Sequence, residues 1–247
     1  MELETARALS ALTTDFYQRV SASFGATRQA PWPGWERVLE ATGAGGLPIL
    51  RVIDLACGNL RFERFLAERV PNVRAWAFDA CDALMDEGVV ALEATEAPCE
   101  LHVLHLDVAE VLFADDDLSR RIDAPPADLS VCFGFMHHVA LPAHRTAVLR
   151  ALVAATRPGG HVAVSLWQLE RSPRLMAKAL PVPGGDSGDY LLGWQDERGA
   201  QRYCHSFSED EVDELVRAVA PQAEEIARFS ADGRTGDLNR YLVLRRR

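Results

Sequence analysis

Two nucleotide-binding signatures are missing from this 247-residue chain. It has no Gly-x-x-x-x-Gly-Lys-Ser/Thr phosphate loop and no Gly-x-Gly-x-x-Gly turn, which excludes those two ways of cradling a phosphate or a dinucleotide pyrophosphate. Cysteine is sparse and scattered: Cys57, Cys81, Cys99, Cys132 and Cys204 form no Cys-x-x-Cys pair. That spacing argues against a disulfide framework and a structural zinc, and for reduced thiols. No apolar run reaches the roughly 18 residues of a membrane span, and Met1-Glu2-Leu3-Glu4 lacks the basic start of a signal peptide. A cytoplasmic protein with no membrane partner is the expectation. Positive charge is also short, 26 Lys and Arg against 36 Asp and Glu, for a net charge of −10. A broad electropositive surface is therefore excluded, and a nucleic-acid partner would need a local patch or a second protein to hold it.

With 48% hydrophobic residues, the chain can bury a sizeable core as a single α/β domain over 1–247. Ile49-Leu50-Arg51-Val52-Ile53-Asp54-Leu55-Ala56-Cys57-Gly58 reads as a buried strand that ends in an acid and enters a glycine turn. Further strands are predicted at 73–78, 100–106, 127–133 and 161–167, with helices near 61–70, 81–94, 109–121 and 143–156. This alternation calls for right-handed βαβ crossovers and a parallel sheet. Ahead of it, a helix over 4–22, an irregular stretch from Phe24 to Pro33 and a helix over 35–42 make an N-terminal helical cap, 1–46. Arg157-Pro158-Gly159-Gly160 closes the helix before the fifth strand. The Pro/Gly-rich segment 170–206 reads as a loop or lid inserted into the domain. Ser208 with Glu211 forms a capping box for a last helix, 209–219. Strands near 223–229 and 239–245 complete a Rossmann-like, seven-stranded, mostly parallel sheet with helices on both faces.

In open α/β sheets, ligands bind outside the carboxyl ends of the strands. Asp54, Asp79 and Asp107 stand at the ends of the first three. A carboxylate accepts two hydroxyl groups at once, which places Asp79 against a ribose and Asp107 against an adenine amino group. One strand-end acid is usually a solvated loop residue; three in register with one glycine turn point to a nucleoside crevice. An acid just before the turn suits a cationic amine better than a phosphate. S-adenosylmethionine, with its α-ammonium and sulfonium, meets that description. The cofactor wall is accordingly read as Asp54, Ala56, Cys57, Gly58, Asp79, Asp107, Val108 and Phe133.

Over residues 49–168 the sequence resembles the class I S-adenosylmethionine-dependent methyltransferases. Asp54 through Gly58 matches the first motif of that superfamily; Asp79, Asp107, Ala127-Asp128-Leu129-Ser130-Val131-Cys132 and Arg157-Pro158-Gly159-Gly160 match later ones. Two positions depart, since the family commonly has glycine where this chain has Leu60, and often at Ala56. Leu60 is expected to press a bulky side chain toward the cofactor, or to shift the turn. The flanks narrow the resemblance. Phe16 through Pro33, with its Thr27-Arg28 and Pro31-Trp32-Pro33, is similar to the N-terminal signature of the eukaryotic tRNA wobble-uridine carboxymethyl methyltransferases. So are His137-His138 after the fourth strand, and Trp194 with Arg202-Tyr203-Cys204-His205-Ser206-Phe207. The resemblance implies methyl esterification of a carboxymethyl group on uridine, tRNA as a partner, and a small zinc-binding activator protein.

A carboxylate is ionised near neutral pH, so it attacks a sulfonium methyl without a general base. Such an enzyme must chiefly align the reactants and exclude water. Arg28 is the candidate to grip the acceptor carboxylate bidentately; the alternative is a solvated arginine, or one that pins the N-terminal helix. His137 and His138 stand at the rim, one expected to touch the acceptor and the other to pack inward, although such pairs are often structural. His102 and His105, three apart in a strand, face opposite ways and cannot share a metal. Phe133, Phe135, Trp167 and Trp194 line the pocket or the core, and Arg245-Arg246-Arg247 reads as a solvated tail. Two rival functions remain. One is O-methylation of a small molecule, favoured by the acidity; the other is a non-catalytic binding protein of the same fold, suggested by Leu60.

Overall fold

The alternation of strand and helix read from the sequence is what the computed structural model shows. It describes every residue except Arg28, Glu96 and 195–198, and of Ala22, Phe24 and Ala26 the backbone alone. Two helices, α1 (Leu3–Thr27) and α2 (Pro33–Thr42), precede the run β1 (Leu50–Leu55), α3 (Arg61–Ala67), β2 (Val73–Asp79), α4 (Asp82–Glu93) and β3 (Cys99–His105). Then come α5 (Val108–Phe113), α6 (Leu118–Arg121), β4 (Ala127–Cys132), α7 (Pro142–Ala155) and β5 (Thr156–Trp167). The chain continues through α8 (Pro173–Met176), β6 (Leu180–Pro181), β7 (Asp189–Gly193) and β8 (Gln201–His205). It closes with α9 (Glu209–Val219), β9 (Ala223–Ala231) and β10 (Asn239–Arg246).

The seven-stranded sheet runs β3-β2-β1-β4-β5-β10-β9, with β10 antiparallel to both of its neighbours. Both faces are covered. Leu50 and Val52 of β1 pack on one side with Trp35 of α2 and Phe62 and Phe65 of α3. Ile53 and Leu55 pack on the other with Val108 and Leu112 of α5 and Val148 and Leu149 of α7. The strand's period of two thus splits one apolar run between two cores. Strand order reverses between β1 and its partners β2 and β4, which opens the crevice at the carboxyl ends where a ligand can enter.

Four expectations need correction. Helix α1 continues to Thr27 where an irregular stretch was expected from Phe24. Gly25 lets it press against α4, since a Cβ there would meet the Glu87 carboxylate at 2.0 Å. The helix expected over 109–121 is broken into α5 and α6, because Asp107 and Asp117 each cap a new start with a side-chain oxygen. The segment 170–206 is more than a loop: β6, β7 and β8 form a three-stranded antiparallel sheet of their own. Arg245 and Arg246 belong to β10, where Arg245 pairs with Glu224 and Arg246 donates to the Ala154 carbonyl at 2.9 Å. They continue the strand, while Arg245 and the terminal Arg247 stay exposed to solvent.

The capping box of α9 forms as read, Ser208 and Glu211 bonding reciprocally. Arg157-Pro158-Gly159-Gly160 follows the end of α7 at Ala155, but it lies within β5, as an irregularity in its pairing with β4. Helix α2 is tied to the far edge of the sheet by Asp232, which accepts from the Gly34 amide at 2.9 Å and the Tyr241 hydroxyl at 2.6 Å.

Candidate active site

The turn after β1 carries two residues in the left-handed region, Ala56 (φ 65°) and Leu60 (φ 54°). A residue with a Cβ pays roughly 1–2 kcal/mol for that conformation. These are the two positions where glycine was expected, so the backbone keeps the glycine-type path although the side chains have changed. Neighbouring hydrogen bonds hold it there. The Ala56 and Cys57 amides both donate to the Phe78 carbonyl, at 2.7 and 3.0 Å. The Gly58 amide donates to Asp79 Oδ2 and the Cys81 amide to Asp79 Oδ1, each at 2.8 Å. Leu60 does not crowd a ligand. Its side chain is fully buried and turned away from the cavity toward Gly88 of α4, where a Cβ would stand 2.8 Å from the Leu60 Cβ and 2.6 Å from the Asn59 carbonyl carbon. Glycine at position 88 makes the room that leucine at position 60 takes.

The three strand-end acids face one cavity, together with Ala56, Cys57, Gly58, Val108 and Phe133. Asp54 is buried, and its Oδ1 has no hydrogen-bond partner among the described residues. Beside it lies Glu63 of α3, fully buried, its carboxyl in hydrogen-bonding contact with that of Asp54. Burial and the Glu63 carboxylate raise the Asp54 carboxyl well above the usual range, while burial pushes Glu63 up to about 7. The two acids hold one proton between them, because two carboxylates cannot both ionise in so dry a place. Burial also raises Asp79, against the pull of the Cys81 and Gly58 amides. Asp107 caps α5, its Oδ1 accepting from the Glu110 amide at 3.0 Å. An orphaned buried acceptor at Asp54 fits a cationic amine, and the spare lone pairs of Asp79 fit hydroxyl groups. This half of the cavity suits an aminoacyl nucleoside. Cys57 and Gly58 add backbone at the turn, and Gly58 (φ 57°) has nothing within 4 Å of where a Cβ would sit.

A 3-10 turn (Met136–His138) presents both histidines to the same cavity. His138 is held at each ring nitrogen. Nδ1 lies 2.6 Å from the Tyr203 carbonyl and must carry the hydrogen, which leaves Nε2 to accept from the Tyr17 hydroxyl at 2.9 Å. His137 stacks flat on Trp167, centroids 3.9 Å apart at 4°, and its Nδ1 has no partner. Burial pulls His138 down to about 3 and His137 well below its ordinary value, with Arg202 adding to both. Both rings are therefore neutral at physiological pH.

Two residues without a role in the sequence reading complete this wall. Tyr17 comes from α1, which lies over the crevice, and Arg202 comes from β8 of the small sheet. Arg202 is only 4% exposed, with its guanidinium 4.6 Å from the Phe16 ring and 5.8 Å from the Trp194 ring. The Thr13 hydroxyl accepts from the Tyr203 amide at 3.1 Å, which fixes α1 to β8. Phe135 and Trp167 also line the cavity. Arg28 lies outside the described residues. His102 and His105 are far apart in role: His102 stacks on Trp76, whereas His105 bonds Asp82 at 2.8 Å. One cluster was not foreseen, His137, His138 and Cys204, whose donor atoms lie within 4.8 Å of one another. A metal there would have to displace the bonds of His138 and sit beside the Arg202 cation, so the donor set fits a metal poorly.

One cavity of the Rossmann-like crevice thus brings three strand-end acids together with two neutral histidines and an arginine. Residues 7–219 match the model of the methyltransferase domain family, and the chain belongs to that family. It is a methyltransferase, which sets aside the non-catalytic reading. Its fold is similar to that of the DhpI-SAM-HEP complex (17% identity, TM-score 0.62, covering 96% of this chain and 97% of that one). It is similar also to a 1,6-didemethyltoxoflavin-N1-methyltransferase from Burkholderia thailandensis (20%, TM-score 0.62, 99% and 89%). Among relatives by sequence are a tRNA (carboxymethyluridine(34)-5-O)-methyltransferase of Schizosaccharomyces pombe, 22% identical over 225 residues and covering 82% of this chain and 85% of the relative. Its counterpart in Macaca fascicularis is 23% identical over 155 residues, 63% of this chain and 20% of the relative. The chain thus spans about a fifth of the length of that relative.

Proposed function

We propose that this methyltransferase moves a methyl group from S-adenosylmethionine to a carboxylate oxygen, and that the acceptor is the carboxymethyl group of a tRNA wobble uridine. The observation that carries the reading is the division of the cavity. Asp54, Asp79 and Asp107 form one group of its lining, suited to the cofactor, and Arg202, His137, His138 and Tyr17 form a second. S-adenosylmethionine supplies an electrophilic methyl carbon on a sulfonium when bound. Asp54 would hold its ammonium, Asp79 its ribose hydroxyls and Asp107 its adenine, with Ala56, Cys57, Gly58, Val108 and Phe133 as the surrounding wall.

The chain's own residues then have a simple task. The neutral histidines take no proton from a carboxylic acid that is already ionised, so they shape the acceptor side. Tyr17 and the small sheet exclude water and align the acceptor. Residues 1–247 act as one domain in this reading, with 1–46 as the cap and 170–206 as the lid. Relatives named as tRNA (carboxymethyluridine(34)-5-O)-methyltransferases support the acceptor, and a tRNA acceptor favours a cytoplasmic site of action. No helix among the described residues is long and apolar enough to cross a membrane. The net charge of −10 favours a second reading, a small carboxylic acid as acceptor. In the first reading, tRNA is recruited through a local patch or through the small activator protein that the resemblance implies.

Incubation with S-adenosylmethionine carrying a tritiated methyl group, in the presence of bulk tRNA or of a metabolite extract, tests this. Label released from tRNA as methanol by mild alkali is the expected result. Alkali-labile label only in the metabolite fraction would select the second reading, and alkali-stable label would refute carboxylate methylation.

A further inference from the structure

Two arginines of this fold are buried to the same degree, 4% exposed, and they are treated differently. Arg145 donates to Glu211 at 3.0 Å, to the Val139 and Ala140 carbonyls at 2.8 and 3.2 Å, and to the Tyr203 hydroxyl at 3.3 Å. Arg202 has no acidic partner among the described residues. Its Nε and Nη1 are sealed from solvent without an acceptor, and the Cys204 thiol is a weak one. The aromatic rings of Phe16 and Trp194 hold its plane but do not neutralise it. The nearby acids are engaged elsewhere. Asp189 accepts from the Tyr203 hydroxyl at 2.5 Å and faces His205 Nδ1 at 2.7 Å, while Glu211 faces His205 Nε2 at 2.7 Å.

A buried guanidinium with no anion is costly, and structures keep one where a ligand brings the missing charge. Arg202 lines the cavity on the same wall as His137 and His138, which are neutral and add no charge of their own. We infer that Arg202 is the carboxylate-binding residue of the acceptor site, its planar fork gripping one carboxylate oxygen while the other is left to attack the methyl carbon. This assigns to β8 the grip that the sequence placed on Arg28, and it rests on the proposed carboxylate acceptor. The fork also selects, because an isosteric carboxamide has the shape but not the charge.

Two matched pairs test the inference by calorimetry on protein saturated with S-adenosylhomocysteine. One is 5-carboxymethyluridine with its carboxamide, the other phenylacetate with phenylacetamide. The wild-type protein should favour the acid over the amide by about tenfold or more in each pair that binds. Arg202→Gln should bring that ratio to within about twofold while the affinity for S-adenosylhomocysteine is unchanged. Should Arg202→Gln fail to fold, Arg202→Lys serves, with the ratio falling at least about threefold because the charge stays but the fork is lost. Preference for phenylacetate with no binding of either uridine would keep the carboxylate site and refute the uridine acceptor. Absence of acid preference in the wild-type protein, or its survival in a folded Arg202→Gln, would overturn the assignment.

Discussion

Leu60 combines a left-handed backbone with a fully buried side chain, and the two oppose each other energetically. Leu60→Gly would relieve about 1 kcal/mol of backbone strain but open a cavity that costs roughly 3–5 kcal/mol. The expected outcome is a net loss of roughly 2–4 kcal/mol in urea unfolding, with affinity for S-adenosylmethionine within about twofold of wild type. Tighter binding would mean that the leucine obstructs the cofactor after all. At the histidine pair, the two rings should separate by readout. His138→Ala breaks a bond at each nitrogen and should lower the melting temperature, by an amount equivalent to about 1–3 kcal/mol. His137→Ala removes a ring that makes no such bonds through Nδ1, and should depress turnover more than stability. The reverse pattern, measured by thermal melting and by single-turnover rates, would exchange their roles.

Between β1 and α3, the Asp54 and Glu63 carboxyls make an element junction that senses pH. Their folded values lie above the unfolded ones, so the folded protein binds more protons than the unfolded chain in between. The contribution of this pair should therefore be fully present below the unfolded values of 3.8 and 4.5 and be lost as the pH rises through about 7, where Glu63 releases its proton. Glu63→Gln leaves an amide that can donate to Asp54 and should flatten that fall, gaining on the order of 2 kcal/mol at pH 8. Denaturant unfolding of both proteins at pH 5 and pH 8 checks the sign; a steeper fall in the variant would show that the pair does not share a proton. Binding of a cationic amine should strengthen over the same rise in pH, since the pair gains a negative charge as Glu63 releases its proton.

For the whole molecule, the deficit of basic residues bears on the proposed tRNA acceptor. Alone, the chain should bind bulk tRNA weakly at physiological salt, with a log–log salt slope shallower than about −3. A steeper slope in filter binding would reveal a concentrated basic patch that the balance of 26 against 36 conceals.

What the sequence by itself determined is local in origin. Strand and helix periods, the capping box at Ser208 and Glu211, and the acids at Asp54, Asp79 and Asp107 each follow from residues within a few positions of one another, and so does the crevice they line. The cavity gathers the three acids, with His137 and His138, on one site. Only the tertiary structure decided the rest. The reach of α1 to Thr27 depends on its seat against α4, and the inward turn of Leu60 depends on Gly88, 28 positions away. Arg202 looks like any surface arginine in sequence. It becomes a buried cation only because α1 and the small sheet close over it, and burial of a charge is a property of long-range packing that no neighbouring residue encodes.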